Sequence, residues 1–120
     1  MPTTVEQVIE TLQSYKFTYS NEDELQRGIA QAFEGRNIPF HREFRMGKDL
    51  KIDFMVEEGI GVEAKIKGSP SDVARQLLAY ANRPEVNCLV LVTGRAALGR
   101  LPDSLLEKKL YVVPLWRTFL

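Results

Sequence analysis

Apolar and polar residues alternate along two neighbouring segments in the middle of the chain, residues 50–57 and 60–67. The apolar positions are Leu50, Ile52, Phe54 and Val56 in the first segment and Ile60, Val62, Ala64 and Ile66 in the second. Alternation with a period of two is typical of a half-buried β-strand. The short link between the segments ends at Gly59, which can adopt a positive φ. The pattern therefore predicts a hairpin with a three-residue turn centred on Glu58.

The turn and the apolar pattern together predict the register of this hairpin. The expected pairs are Val56 with Ile60, Phe54 with Val62, and Asp53 with Glu63. A slip of one residue would move every side chain to the wrong face of the sheet. Two carboxylates that face each other across a ladder repel. A divalent cation with oxygen ligands would offset that repulsion.

The same face of the hairpin allows a second interpretation. Lys51 and Lys65 also face each other there, next to Asp53 and Glu63. The four charges could form a solvated lattice of cross-strand pairs, in which each exposed pair contributes about 0–1 kcal/mol. The hairpin alone leaves both interpretations open.

The rest of the chain divides into clear segments. Helices are expected over residues 4–15, 21–34 and 69–82, strands over residues 39–46, 88–92 and 110–115, and a short polar helix or turn over residues 101–109. Asn21 and Glu24 have the spacing of a capping box, and Pro70 suits the first position of the third helix. The crossover from residue 60 to residue 92 should be right-handed, which makes its two strands parallel. The sequence predicts one α/β domain.

Two of the helices carry polar residues on their apolar sides. Glu22 falls in the arc of Leu25 and Ile29, and Gln76 and Tyr80 lie one turn apart on the buried side of the third helix. An acidic group on an apolar arc needs a partner. Alternatively, Glu22 is a first-turn residue that is favoured by the helix dipole and reaches water.

Composition adds few constraints. The chain has 120 residues, with 16 Lys and Arg against 16 Asp and Glu, so its net charge argues neither for nor against a polyanionic partner. The single cysteine, Cys88, lies in an apolar run and fits a reducing compartment. The sequence contains neither a membrane-length apolar run nor the pattern of a signal peptide, so a cytoplasmic protein without a membrane partner is expected.

Together, Glu22, Asp53, the Glu63-Ala64-Lys65 triplet and the Gln76-x-x-x-Tyr80 helix resemble the PD-(D/E)XK nuclease superfamily. The pattern in that superfamily is a helix Glu, an Asp near a strand end, and (D/E)-x-K on the paired strand. The Q-x-x-x-Y helix occurs in RecB-like members, and the small size is similar to that of Holliday-junction resolvases and phage nucleases. The resemblance covers residues 21–113. Ile52 stands where the family often has Pro.

The resemblance implies a restriction-endonuclease-like core of order αβββαβ, with a central mixed sheet flanked by helices. Residues 1–120 would form one such domain, with residues 1–16 as an extra N-terminal helix. The implied activity is hydrolysis of DNA phosphodiester bonds with Mg²⁺ or Mn²⁺. The metal would be held by Asp53, Glu63, the Ala64 carbonyl and, through a water, Glu22.

The resemblance also assigns roles to the other site residues. Lys65 and Gln76 would act in catalysis beside Glu22, Asp53 and Glu63, and Tyr80 would brace Gln76. The residues expected to contact the DNA backbone are Arg42, Arg45, Lys48, Lys51 and Lys67. A homodimer is expected because so small a nuclease has little surface with which to hold a duplex.

Two rival interpretations remain at this stage. The chain could be a catalytically inactive member of the same fold that serves in nucleic-acid binding or assembly. It could also be another small α/β protein with surface charges, in which case Glu22 and Gln76 would lie far from Asp53.

Overall fold

The structure, a computed structural model, describes residues 2–115. Its α-helices and strands are α1 (Val5–Ser14), α2 (Glu22–Gly35), β1 (Phe40–Gly47), β2 (Leu50–Val56), β3 (Ile60–Lys65), α3 (Pro70–Ala81), β4 (Cys88–Thr93), β5 (Ser104–Leu105) and β6 (Lys108–Pro114). Short 3-10 turns occupy Glu57–Gly59 and Ala96–Arg100. No helix within the described range combines the length and the apolar character needed to cross a membrane.

The predicted helix starts are confirmed by their caps. The Asn21 side chain accepts a hydrogen bond from the Glu24 amide at 2.8 Å, which satisfies one of the open donors of α2. The Glu24 carboxylate does not return to Asn21 but accepts bonds from the amide and the hydroxyl of Ser20. Ser69 caps α3 in the same way, with Pro70 at the first helical position.

The six strands form one mixed sheet in the order β1-β2-β3-β4-β6-β5. Strands β1, β2 and β3 are antiparallel, and β3, β4 and β6 are parallel. The predicted hairpin register is confirmed for Phe54 with Val62 and Val56 with Ile60. The parallel arrangement of β3 and β4, expected from the handedness of the crossover, is also confirmed.

Helices cover both faces of the sheet. One apolar cluster joins α1 and α2 to the sheet, and a second joins α3 and the turn Ala96–Arg100 to the opposite face. As a result, β3 is buried along almost its whole length, and the prediction that it is half-buried is wrong. The strand lies in the middle of a sheet that is packed on both sides, so even its polar positions are removed from water.

The predicted alternation in β2 is also wrong at one place. Phe54 and Val56 belong to the cluster under α1 and α2, whereas Ile52 belongs to the cluster under α3. Ile52 packs so closely over Gly61 that a side chain at position 61 would meet it. The side chains of Ile52 and Phe54, on either side of Asp53, therefore lie on opposite faces of the sheet, although the sequence pattern predicts one face for both.

The segment 101–109 contains a turn and no helix. Leu106 and Glu107 both have positive φ, at 52° and 66°, and they connect the short strand β5 to β6. Two such residues in a row are typical of a tight hairpin turn. The last strand consequently begins at Lys108, two residues before its predicted start.

Candidate active site

Strands β2 and β3 separate where Asp53 and Glu63 approach each other. The Asp53 amide donates to Glu63 Oε1 at 3.1 Å, and the Ala64 amide donates to Asp53 Oδ2 at 2.8 Å. Regular strand pairing ends at Phe54 and Val62. The predicted pair is therefore adjacent as expected, but its side chains take the place of ladder hydrogen bonds instead of projecting from a regular ladder.

The interruption extends to β1 on the other side of β2. The register continues from Arg42 with Phe54 to Phe44 with Ile52, and Glu43, which faces Asp53, has a φ of 56°. A positive φ is uncommon for a residue with a side chain. Glu43 is thus an irregular residue of β1 in the same row as Asp53, whose carboxylate accepts the Ala64 amide of β3.

Glu63 is almost completely removed from water, with 3% of its surface exposed. Burial, followed by the charge of Asp53, raises the pKa of Glu63 to about 8. Burial likewise raises the pKa of Asp53, although the hydrogen bond from Ala64 acts in the opposite direction. The interpretation of these charges as a solvated lattice is wrong, because one member of the proposed lattice is buried.

Lys65 is the cation next to this acidic pair. Its Nζ lies 3.8 Å from Glu63 Oε2, and its side chain keeps 21% of its surface exposed. The predicted opposite partner, Lys51, instead lies 3.5 Å from Glu43 Oε2 at the surface. The amine of Lys65 can therefore contact both the carboxyl pair and a molecule bound from outside.

Tyr80 and Gln76 support Glu63 from α3. The Tyr80 hydroxyl lies 3.0 Å from Glu63 Oε2 and 2.9 Å from the carbonyl of Lys51, and it has one proton to donate to either. Gln76 Nε2 donates to the Tyr80 hydroxyl at 3.0 Å. Burial and the neighbouring Glu63 raise the pKa of Tyr80, so the phenol stays protonated.

Glu22 reaches the same place from the beginning of α2. Its Oε2 accepts a hydrogen bond from the Ile66 amide at 3.1 Å, and its charge contributes to the raised pKa of Asp53. The rival interpretation of another small α/β protein expected Glu22 and Gln76 to lie far from Asp53, whereas Glu22 acts on Asp53 and Gln76 is linked to Glu63 through Tyr80. Glu22 has a protein partner and is not simply a first-turn residue turned to water.

The residues expected to contact DNA differ in their surroundings. Arg42 lies 3.6 Å from Asp23 and donates to Gln26, and Lys51 is paired with Glu43. The remaining cations, Arg45, Lys48 and Lys67, are exposed, and Arg45 donates to the carbonyl of Lys48.

The sequence pattern does not predict the involvement of Glu43 or of the Lys51 carbonyl. One signal was present: Arg42 is a charged residue in the otherwise apolar set of Phe40, Phe44 and Met46. In the structure Phe40 packs with the cluster under α1 and α2, and Phe44 packs with the cluster under α3. Arg42 thus lies where β1 changes from packing under α1 and α2 to packing under α3.

The carboxylates of the site can be compared with the ligands that a divalent ion requires. Between residues 2 and 115, no group of three or more His, Cys, Asp or Glu side chains is arranged to hold a metal ion. Mg²⁺, however, usually takes one or two carboxylates and completes its shell with waters and phosphate oxygens. Asp53 and Glu63 supply two carboxylates whose mutual repulsion a cation would relieve. The pair fits a partly hydrated ion of this kind.

Comparisons of the chain with protein-family models, curated proteins and solved structures give no match. The chemistry of the site is therefore inferred from its own residues. The buried Glu63, the partly buried Asp53, an adjacent amine and a supporting amide and phenol are arranged where regular pairing of β2 and β3 ends.

Proposed function

We propose that this protein is a metal-dependent nuclease that hydrolyses phosphodiester bonds in DNA. The proposal depends on one observation: the carboxylates of Asp53 and Glu63 lie side by side between β2 and β3, where each accepts a main-chain amide and burial raises the pKa of both. Buried acids with perturbed pKa values are typical of functional sites. The proposed fold is a restriction-endonuclease-like core formed by α2, β1, β2, β3, α3 and β4, and the element order along the chain supports it.

The residues that would hold Mg²⁺ or Mn²⁺ are Asp53, Glu63 and the carbonyl of Ala64, with Glu22 acting through a water. When bound, such an ion polarises the scissile phosphate and lowers the pKa of a coordinated water. Both carboxylates must be deprotonated to bind the ion. Because burial raises the pKa of Glu63 to about 8, the deprotonated fraction of Glu63 increases as the pH rises towards that value.

Lys65 supplies positive charge beside the acids. Its ammonium group lies close to Glu63 and remains partly exposed, so it can hydrogen-bond both the attacking water and a phosphate oxygen. A fixed cation near the phosphate stabilises the charge that develops in the transition state. No other lysine within the described range is paired with Glu63.

Gln76 and Tyr80 keep the acidic pair in place. Tyr80 is 1% exposed, so it acts by holding Glu63 and the Lys51 carbonyl and not by direct contact with DNA. Gln76 is more exposed than Tyr80, and its amide oxygen is available to the attacking water or to a phosphate.

The test is a cleavage assay with conservative variants. Supercoiled plasmid and labelled oligonucleotides are incubated with the protein in Mg²⁺, Mn²⁺ or EDTA. Asp53→Asn and Glu63→Gln keep hydrogen-bond acceptors for the amides of Ala64 and Asp53, so a loss of activity reports on charge and not on folding. Glu34→Gln, an exposed residue on α2, is the matched control.

We expect cleavage by the wild type and by Glu34→Gln in either metal, and none in EDTA. Both site variants should be at least about a hundredfold slower. Cleavage at the wild-type rate by Asp53→Asn or Glu63→Gln would refute the proposal.

A second candidate function is a catalytically inactive nucleic-acid-binding or assembly module of the same fold. It is favoured by the hydrogen bonds that Asp53 and Glu63 accept from main-chain amides, because these bonds stabilise the sheet without a metal. Binding of DNA by the wild type without any cleavage in Mg²⁺ or Mn²⁺ would support this function instead.

A further inference from the structure

The carboxyl ends of the parallel strands β3 and β4 meet at one edge of the sheet. Their register ends with Lys65 beside Thr93, and each strand is followed two residues later by a basic residue, Lys67 after β3 and Arg95 after β4. Ligands of α/β proteins commonly bind at this edge, because the loops there converge. Lys65, the proposed catalytic cation, is the last residue of β3 and lies at the same edge.

Lys67 and Arg95 differ from Arg42 and Lys51 of the β1–β2 hairpin in their freedom to bind a ligand. Both are exposed, and within residues 2–115 neither forms an ion pair. Arg42 and Lys51, by contrast, are each close to a carboxylate. A phosphate that binds Arg42 or Lys51 must compete with that carboxylate, whereas one that binds Lys67 or Arg95 meets no such competitor.

The loop that carries Arg95 has a defined conformation. The Arg95 amide donates to the hydroxyl of Thr93 at 3.0 Å, and Thr93 is fully buried. Tyr19 packs its hydroxyl so tightly over Gly94 that a side chain at position 94 would collide with it. Arg95 therefore projects from a fixed turn at the end of β4.

The beginning of α2 places the active site next to this loop. Tyr19 lies three residues before Glu22, and Glu22 accepts its hydrogen bond from Ile66, the residue that follows β3. The loop after β4, the end of β3 and the start of α2 are thus joined through Tyr19 and Glu22. A strand of nucleic acid that reaches Lys65 can continue past both exposed cations.

We propose that the bound nucleic-acid strand crosses the carboxyl edge of β3 and β4, with its backbone phosphates held by Lys67 and Arg95 and not mainly by Arg42 and Lys51. This inference depends on the proposed nuclease function for the nature of the ligand. It adds Arg95 to the binding residues and gives the strand a direction relative to the sheet.

The test measures binding separately from cleavage. A fluorescein-labelled single-stranded oligonucleotide and the matching duplex are titrated in EDTA at several NaCl concentrations, and anisotropy gives the dissociation constant. The variants are Lys67→Ala and Arg95→Ala, compared with Arg42→Ala and Lys51→Ala. Arg36→Ala is the control, since Arg36 lies just beyond the far end of α2 from Glu22 and pairs with Glu10.

We expect Lys67→Ala and Arg95→Ala each to weaken binding several-fold and to reduce the slope of log affinity against log salt by about 1. Arg42→Ala and Lys51→Ala should have smaller effects, and Arg36→Ala none. Equal affinity and slope for Arg95→Ala and the wild type would overturn the inference, as would a larger loss in Arg42→Ala and Lys51→Ala.

The outcomes also separate this inference from the proposed function. If the wild type cleaves DNA and Arg95→Ala binds it with unchanged affinity, the nuclease proposal stands and the proposed path across the carboxyl edge of β3 and β4 is rejected. Weaker binding by Lys67→Ala and Arg95→Ala in a protein that never cleaves would do the reverse. If the wild type neither binds nor cleaves either oligonucleotide, both are wrong.

Discussion

Strand β3 is paired regularly on one side, with β4, and irregularly on the other, with β2. On the parallel side, pairing with β4 is unbroken from Ile60 with Cys88 to Lys65 with Thr93. On the antiparallel side, pairing with β2 ends at Phe54 and Val62, and carboxylates fill the gap that follows. The regular half is held by apolar packing, while the interrupted half contains the buried charge.

This difference shows how the fold accommodates buried acids. A carboxylate without hydrogen-bond donors is costly to bury. In a complete ladder the amides of Asp53 and Ala64 would be occupied, whereas in the opened sheet they bind Glu63 and Asp53. Irregular backbone and buried charge therefore occur together for a physical reason, and such irregularities are often found beside active sites.

The largest expected contrast is in stability. Leu91 lies beside Glu63 in the regular half and is fully buried, so Leu91→Ala should lower the free energy of unfolding by about 2–5 kcal/mol. Asp53→Ala, in the interrupted half, leaves the Ala64 amide without its partner and should lower it by about 1–3 kcal/mol. Urea unfolding measures both. If Asp53→Ala were more stable than the wild type, the carboxylates would not be holding the sheet together.

The next contrast concerns catalysis at the edge where the halves meet. Lys65→Ala removes the amine near Glu63, and we expect turnover to fall by about a hundredfold or more while Mn²⁺ binding, measured by calorimetry, is retained. Lys16→Ala is the control because Lys16 is exposed in the connector before α2. A normal rate in Lys65→Ala would remove this residue from the mechanism.

The pH dependence of stability distinguishes the buried acids from the apolar half. Glu63 has an ordinary pKa of 4.5 when unfolded and a pKa of about 8 when folded. Between these values the folded protein keeps a proton that the unfolded chain has released, so the free energy of unfolding should fall as the pH rises through this range. The stabilisation is complete only below a pH of about 4.5.

Urea unfolding in EDTA across that range, for the wild type and Glu63→Gln, measures this effect. We expect a decline of up to a few kcal/mol in the wild type and a flatter profile in the variant. Identical profiles for the two proteins would show that Glu63 is not protonated in the folded state.

A smaller effect is expected at Tyr80. Tyr80→Phe removes the hydroxyl that donates to Glu63 or to the Lys51 carbonyl and should lower the free energy of unfolding by about 1 kcal/mol. Because the bond from Tyr80 lowers the pKa of Glu63, its loss should also shift the pH profile of stability to higher pH. A purely structural role for Tyr80 would lower stability without moving the profile.

The smallest effect on stability is expected for the exposed ion pair of Glu43 and Lys51. Glu43 and Lys51 lie 3.5 Å apart at the surface, so Glu43→Gln should change the free energy of unfolding by no more than about 1 kcal/mol. The same measurement at high salt should reduce even this difference. A much larger change would mean that Glu43 contributes to the buried acids directly.

The regular parts of the molecule could be predicted from local pattern. Alternation gave the pairs of Phe54 with Val62 and Val56 with Ile60, and helical periodicity marked Glu22 as a residue that needs a partner. These predictions depend on periods of two and 3.6 residues, which a regular strand and helix maintain.

The change of face at Asp53 could not be predicted in this way. Ile52 continues the apolar pattern of Phe54 in the sequence, and only the tertiary packing of α3 places it on the opposite face. The burial of Glu63 has the same origin, because its partners Tyr80 and Asp53 come from other elements. The pairing of Lys51 with Glu43 in preference to Asp53 follows from the same rearrangement.

Calorimetric titration of Mn²⁺ into the protein near neutral pH, in two buffers of different ionisation enthalpy, tests the central claim most directly. The raised pKa of Glu63 predicts that Mn²⁺ binds with release of a proton, so the measured heat should depend on the buffer. Asp53→Asn and Glu63→Gln should lose this binding, and Glu34→Gln should keep it. Absence of Mn²⁺ binding by the wild type, or equal binding by the two site variants, would contradict the account.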